Sequence, residues 1–165
     1  MKDGRPGAAA RLCDPGALHA TTFAALPRDL LRTPASLQAR GITIQIQTDV
    51  ESAPLVLGDP AQIREALMNL IINAVDALQT DGTITLRAYA QDERVVLAVS
   101  DTGPGMTEEV RQRCLEPFFT TKGQQGTGLG LAMVYGIVQR HGGTLDIQSE
   151  QGRGTTIAIR LPIAS

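Results

Sequence analysis

The chain has 165 residues and a formal net charge of −2, which points to one domain long enough to bury a core. Its 15 basic and 17 acidic residues are interspersed, without the basic stripe that a nucleic-acid surface needs. Cys13 and Cys114 form neither a metal pattern nor a disulfide framework. No apolar run reaches membrane-spanning length and no secretory signal is present, so a cytoplasmic location is the expectation.

Residues 1–16 are rich in Gly, Ala, Pro and charge and read as a tail or linker, with 17–165 as the domain proper. His19 reads as a surface residue. Thr21–Arg40 has a helical pattern broken by Pro27 and Pro34, and Thr33-Pro34 can instead restart a helix. Gly41–Thr48 alternates, with Ile42, Ile44 and Ile46 on one face, as a half-buried strand does. A short strand is expected within Val50–Leu57. Asp59 is a good N-cap and Pro60 a good first helical residue, so a helix runs from there to about Leu78. Gly82–Ala90 and Arg94–Ser100 read as a hairpin, and Asp101–Gly105 as a Gly/Pro turn. Glu108–Cys114 is a short helix, Leu129–Arg140 a longer one stopped at Gly142-Gly143. Thr144–Ser149 and Thr155–Leu161 form a last strand pair. Helices and hairpins in this order give an α+β fold: a two-layer sandwich whose mixed, mostly antiparallel sheet carries helices on one face.

Three features carry chemistry. The run Thr120–Gly136 contains Gly123, Gly126, Gly128, Gly130 and Gly136 just ahead of a helix. Glycines let a ligand approach backbone amides, and a helix N-terminus favours phosphate; a plain hinge before a core helix fits the same residues. Of the 15 basic residues only Lys2 and Lys122 are lysines, and Lys122 lies in this loop, where a compact mobile charge is useful. The run is not a Walker loop, because no Lys-Ser/Thr follows its glycines. It is not a dinucleotide fingerprint either, because the third glycine comes one residue early.

The second feature is the helix after Asp59. On a helical wheel Gln62, Glu65, Asn73 and Asp76 fall within about 40° of Asn69. Ile63, Leu67, Leu70, Ile71, Ala74 and Leu78 lie opposite, with Met68, Ile72 and Val75 on the flank. A stripe of oxygen donors without a cation suits Mg²⁺ held together with phosphates; it also suits a thin solvent-facing strip on a mostly buried helix. The third feature is Asp101, which shares parity with Val95, Leu97 and Val99 and so faces the core. A buried carboxylate needs a partner, which a ligand amino group or its own Gly103/Gly105 turn can supply. Thr155, in parity with Ile157, Ile159 and Leu161, also points inward.

Taken together, these residues resemble the catalytic ATP-binding domain of sensor histidine kinases, within the Bergerat-fold superfamily shared with gyrase-, Hsp90- and MutL-type ATPases. Asn69-Leu-Ile-Ile-Asn73-Ala-Val-Asp-Ala77 looks like the N box, Asp101-Thr-Gly-Pro-Gly-Met106 the first glycine box and Glu116-Pro-Phe-Phe-Thr-Thr-Lys122 the F box. Gly126-Thr-Gly-Leu-Gly-Leu131 looks like the second glycine box and Gly152-Arg-Gly-Thr155 the closing motif. The match covers roughly Gly41–Pro162. The resemblance implies ATP and Mg²⁺ as cofactors. It assigns Mg²⁺ to Asn73, with Asn69 assisting and Glu65 a possible third contributor. Asp101 is assigned to the adenine amino group, with Gly103, Gly105 and Thr155 around the base. It gives Lys122 to the terminal phosphates. Thr121, Gly126, Thr127, Gly128, Leu129 and Gly130 belong to the phosphate-covering lid, and Phe118 and Phe119 to its anchor or to partner contact, unless one of them simply packs in the core.

Water-splitting members of the superfamily carry a glutamate base one turn before the metal asparagine. Here that position is Asn69, which cannot take a proton from water, so transfer to a protein nucleophile is favoured. The phosphoacceptor motif is absent: His19-Ala-Thr-Thr-Phe does not match it, and His141 suits a helix C-terminus. The expected partner is therefore a dimerisation domain bearing the phosphoacceptor histidine, outside these residues or in another protein, with a response regulator downstream. Two other readings fit: a nucleotide-dependent interaction module, and a serine kinase of the anti-sigma type.

Overall fold

The computed structural model describes residues 17–19, 35–48, 55–121, 123 and 126–163. Five strands form the main sheet: β2 (Ile42–Thr48), β4 (Gly82–Gln91), β5 (Arg94–Asp101), β7 (Gly154–Pro162) and β6 (Thr144–Glu150), in that spatial order. β2 runs parallel to β4 and every other pairing is antiparallel. Two helices pack on the sheet, α2 (Pro60–Ala77) and α4 (Gly130–Arg140). The short α1 (Ala35–Gln38) precedes β2, and α3 (Glu108–Arg113) precedes the glycine-rich loop.

The core is aliphatic because the sequence offers no Trp and only five aromatics. Ile63, Leu67, Leu70, Ile71, Ala74 and Leu78, the wheel's apolar side, are all buried. They meet Ile84, Leu86, Val95, Leu97, Val99, Ile157, Ile159 and Leu161 from the sheet, with Val134, Ile137 and Val138 from α4. Each large aliphatic side chain buried this way contributes roughly 1.5–3 kcal/mol. The sheet's other face carries Thr, Gln and Arg between a small cluster of Val96, Ala98 and Ala158 flanked by Tyr89. That difference between faces is the expected two-layer arrangement.

Local chemistry sets the element ends. Asp59 Oδ1 accepts from the Ala61 N–H at 2.9 Å and caps α2. At the other end the Arg40 guanidinium donates to the Leu78 carbonyl at 2.6 Å, satisfying an acceptor that helix geometry leaves open. The β4–β5 connection is tighter than the sequence suggests: only Asp92 and Glu93 form the loop, both left-handed (φ 50° and 58°), the handedness that matches strand twist.

Two expected features gain partners that local pattern does not show. The short strand within Val50–Leu57 is β3 (Leu55–Leu57), but it pairs with β1 (Ala17–His19) in a separate two-stranded sheet. A three-residue strand has no readable period, so β1 is silent in the sequence. His141 stands at the carboxyl end of α4 as expected, and its ring bonds both to that helix and to the start of α2. Its Nδ1–H donates to the Ile137 carbonyl at 2.7 Å, and its Nε2 accepts from the Asp59 N–H at 3.0 Å. A ring holding both bonds is neutral. The expected tail at 1–16, and most of the Thr21–Arg40 helix, lie outside the described residues.

Candidate active site

α2 and α4 run antiparallel with a regular register. Along α2, Gln62 meets Arg140, Asn69 meets Met133, and Asn73 meets Gly130. Arg140 Nε and Nη2 approach Gln62 Oε1 at 3.4 Å. Asn69 Nδ2 lies 3.7 Å from Met133 Sδ. A Cβ placed on Gly130 would stand 3.8 Å from Asn69 Oδ1 and from both polar atoms of Asn73. The polar stripe is thus not simply a solvent strip: three of its five residues, Gln62, Asn69 and Asn73, are laid against α4, while Glu65 and Asp76 remain exposed. Ile72, on the flank, is 49% exposed, so the helix is less enclosed than its composition suggests.

This register puts the amino end of α4 against the two asparagines. The side-chain Nδ2 of Asn73 is buried and has no hydrogen-bond partner. A donor kept there unpaired costs about 1–3 kcal/mol, and such a group marks a site completed by an acceptor, which a phosphate oxygen would supply. Among the described residues no three His, Cys, Asp or Glu side chains form a metal cluster. The amide oxygens of Asn69 and Asn73 stand side by side next to Gly130, and a hard cation such as Mg²⁺ could take them together with phosphate.

α2 also supports the Asp101 loop. One turn beyond Asn73, Ala77 packs 3.4 Å from where a Cβ of Gly103 would sit, so the loop and the asparagines share one helix. Asp101 Oδ1 accepts from the Gly103 N–H at 2.8 Å. Burial pushes the Asp101 carboxyl above its ordinary range, partly offset by hydrogen bonds from the backbone N–H groups of Gly103 and Thr155. Gly105 is left-handed (φ 69°), and a Cβ there would fall 2.1 Å from the Glu150 carbonyl oxygen; only glycine fits. Thr155 faces inward as expected, its hydroxyl 2.8 Å from Ser149 Oγ.

Ser149 was not legible in the motifs. Its Oγ accepts from the Met106 N–H at 2.8 Å and so ties the Asp101 loop to the edge strand. Its parity with Leu145 and Ile147 on β6 was the available signal. A cleft of about 450 Å³ opens here, lined by Asp101, Ile147, Ser149, Thr155, Arg111 and Arg153 among others.

The lid residues are placed unevenly. Gly128 is left-handed (φ 68°) and its missing Cβ leaves room for the Phe118 backbone, whose N–H donates to the Gly128 carbonyl at 2.9 Å. Phe118 itself is left-handed (φ 67°) and 76% exposed, so it is not a core residue. Phe119 is half-buried under the Arg113 guanidinium, 4.4 Å from its ring centre. Thr127 Oγ1 accepts from the Leu129 N–H at 3.4 Å. Leu129 and Thr121 are exposed, Gly126 is half-buried and Gly123 stands in open space. Lys122 lies outside the described residues.

Cys114 is buried and its Sγ lies 3.0 Å from the Arg111 carbonyl; burial pushes the thiol above its ordinary range. The thiolate is the reactive form, so iodoacetamide should label Cys114 far more slowly in native protein than in urea. Equal rates, read by mass spectrometry of the Cys114 peptide, would contradict this placement.

Residues 58–165 match the family described as histidine kinase-, DNA gyrase B- and HSP90-like ATPases. The chain belongs to this family, among the catalytic domains of histidine kinases. It is 36% identical to the sensor histidine kinase ZraS of Escherichia coli over 129 residues, which is 78% of this chain and 28% of ZraS. The catalytic domain of histidine kinase ThkA superposes with a TM-score of 0.70 at 30% identity, covering 79% of this chain and 85% of that one. Full-length ShkA, solved in complex with AMPPNP, gives 0.70 at 32% identity, covering 81% of this chain and 28% of ShkA. The chain thus spans less than a third of the full-length relatives. Among the described residues no helix is long and apolar enough to cross a membrane. The mixed open sheet with helices on one face is the Bergerat fold expected from the motifs.

Proposed function

We propose that residues 17–165 are the Mg²⁺·ATP-binding catalytic domain of a cytoplasmic two-component histidine kinase. It transfers the γ-phosphoryl group to a histidine on a separate dimerisation domain, and a response regulator acts downstream. The observation that carries this reading is the buried, unpaired Asn73 amide at the amino end of α4. Asn73 would hold Mg²⁺ with Asn69 beside it; the exposed Glu65 stands one turn further back. Bound Mg²⁺ would neutralise charge on the phosphates. The N-terminal amides of α4 favour the same anions, the glycines of 126–130 leave room for them, and Lys122 belongs to the same loop. Asp101 would accept from the adenine amino group, with Gly105 and Thr155 alongside. Phe118, exposed and held by Gly128, is available to a partner surface.

The acceptor is a protein side chain rather than water because no base stands at Asn69. In the transfer the bond between the terminal phosphorus and its bridging oxygen breaks. A bond to an imidazole nitrogen forms, and ADP leaves. Positioning and charge neutralisation suffice for such a step. The test is incubation with radiolabelled ATP, Mg²⁺ and the helical phosphoacceptor domain that accompanies this chain. Acid-labile, base-stable phosphohistidine is expected. Acid-stable phosphoserine would replace this reading with the serine kinase; tight ATP binding without any label would replace it with the interaction module.

A further inference from the structure

We propose that His141 is a positioning residue that fixes the axial register of α4 on α2, and through it the placement of Gly130 against Asn73. This rests on the nucleotide-site reading above and adds to it a residue remote from the site. The two helices are antiparallel, so the carboxyl end of α4 lies over the first turn of α2. There the neutral His141 ring bridges both: Nδ1–H is spent on its own helix, at the Ile137 carbonyl, and Nε2 accepts from the Asp59 N–H. That N–H belongs to the N-cap residue, which helix geometry leaves without an intrahelical partner. Asp59 is itself held, its carboxylate accepting from Ala61 N and from Gln62 Nε2 at 2.9 and 3.3 Å. Next to it Arg140 reaches Gln62 across the same gap.

Apolar contacts along the pair, with Val134, Ile137 and Val138 buried beneath α4, resist separation but specify axial position weakly, because hydrophobic attraction is non-directional. The contact between Asn69 and Met133 involves a thioether, a weak acceptor. The directional bonds that define how far α4 slides along α2 are thus at its carboxyl end. A slide of one residue moves a helix by about 1.5 Å, and displacements of that size cost a prearranged site heavily. The latch stands roughly 16 Å from Gly130, the length of an 11-residue helix at this rise.

The ring is held by a backbone carbonyl and a backbone N–H, so the latch acts by hydrogen bonding rather than by net charge. Gln can present an acceptor where Nε2 stands; Leu cannot.

The experiment compares His141→Leu and His141→Gln with the parent chain, using adenosine and ATP with Mg²⁺ as separate probes. The same samples give the NMR signals of the Gly130 amide and the Asn73 side chain without nucleotide. In His141→Leu those two signals should move, Mg²⁺·ATP should bind about three- to tenfold more weakly, the worth of one hydrogen bond, and adenosine should bind as before. His141→Gln should restore both. Loss of adenosine and Mg²⁺·ATP affinity in equal proportion would mean general loosening and would overturn the latch, as would unmoved signals. Moved signals in a chain that binds no ATP would keep the latch and remove the nucleotide reading instead.

Discussion

Asn73→Ala is expected to lower phosphoryl transfer about a hundredfold or more, as losing one prearranged electrostatic contact in an enclosed site does. It should also abolish the Mg²⁺-dependent part of ATP binding. The same substitution should not destabilise the fold. The amide nitrogen is buried and unpaired, so removing it relieves a desolvation cost. The apolar side of α2, from Leu70 to Ala74, remains in place. Isothermal titration with and without Mg²⁺, run beside a thermal melt, separates the two effects. A folded variant with unchanged Mg²⁺-dependent affinity would remove Asn73 from the site. Asn73→Asp is the finer probe: it keeps an oxygen but adds charge beside phosphate, and is also expected to lose the Mg²⁺-dependent part.

Asp101→Asn should weaken ATP and adenosine alike by about 10- to 100-fold, the range for losing a charged acceptor, while making the ligand-free protein more stable. The sign follows from the raised carboxyl. A native state that binds the proton more tightly than the unfolded chain gains stability on protonation. That contribution is complete below the ordinary carboxylate range and is lost as pH rises through the raised value. At neutral pH the ionised Asp101 is therefore a burden that Asn does not carry, and Asn Oδ1 can still accept from Gly103. The stability difference between variant and parent should shrink on acidification from neutral pH. Urea midpoints across that interval are the measurement; a difference independent of pH would contradict the assignment of the burden to this carboxylate. Stability withheld from the empty site and recovered on binding is common at functional positions.

The sequence alone determined the elements and their chemistry where the signal is periodic or local. The alternation of Ile42 and Ile44, the cap at Asp59, the apolar side of α2 and the inward parity of Asp101 and Thr155 all reappear in the fold, because each depends on residues a few positions apart. The order of the boxes was enough to give the family. Tertiary structure decided what depends on residues far apart in the chain. It paired β1 with β3, and it laid the polar stripe of α2 against α4, so that Gln62, Asn69 and Asn73 meet Arg140, Met133 and Gly130. It set Phe118 outside the core and made Ser149 a tie for the Asp101 loop. His141 changed most in meaning. Its own helix offers only a carbonyl for one ring nitrogen, and the partner of the other is the Asp59 N–H, brought to it by helix packing that local periodicity does not specify.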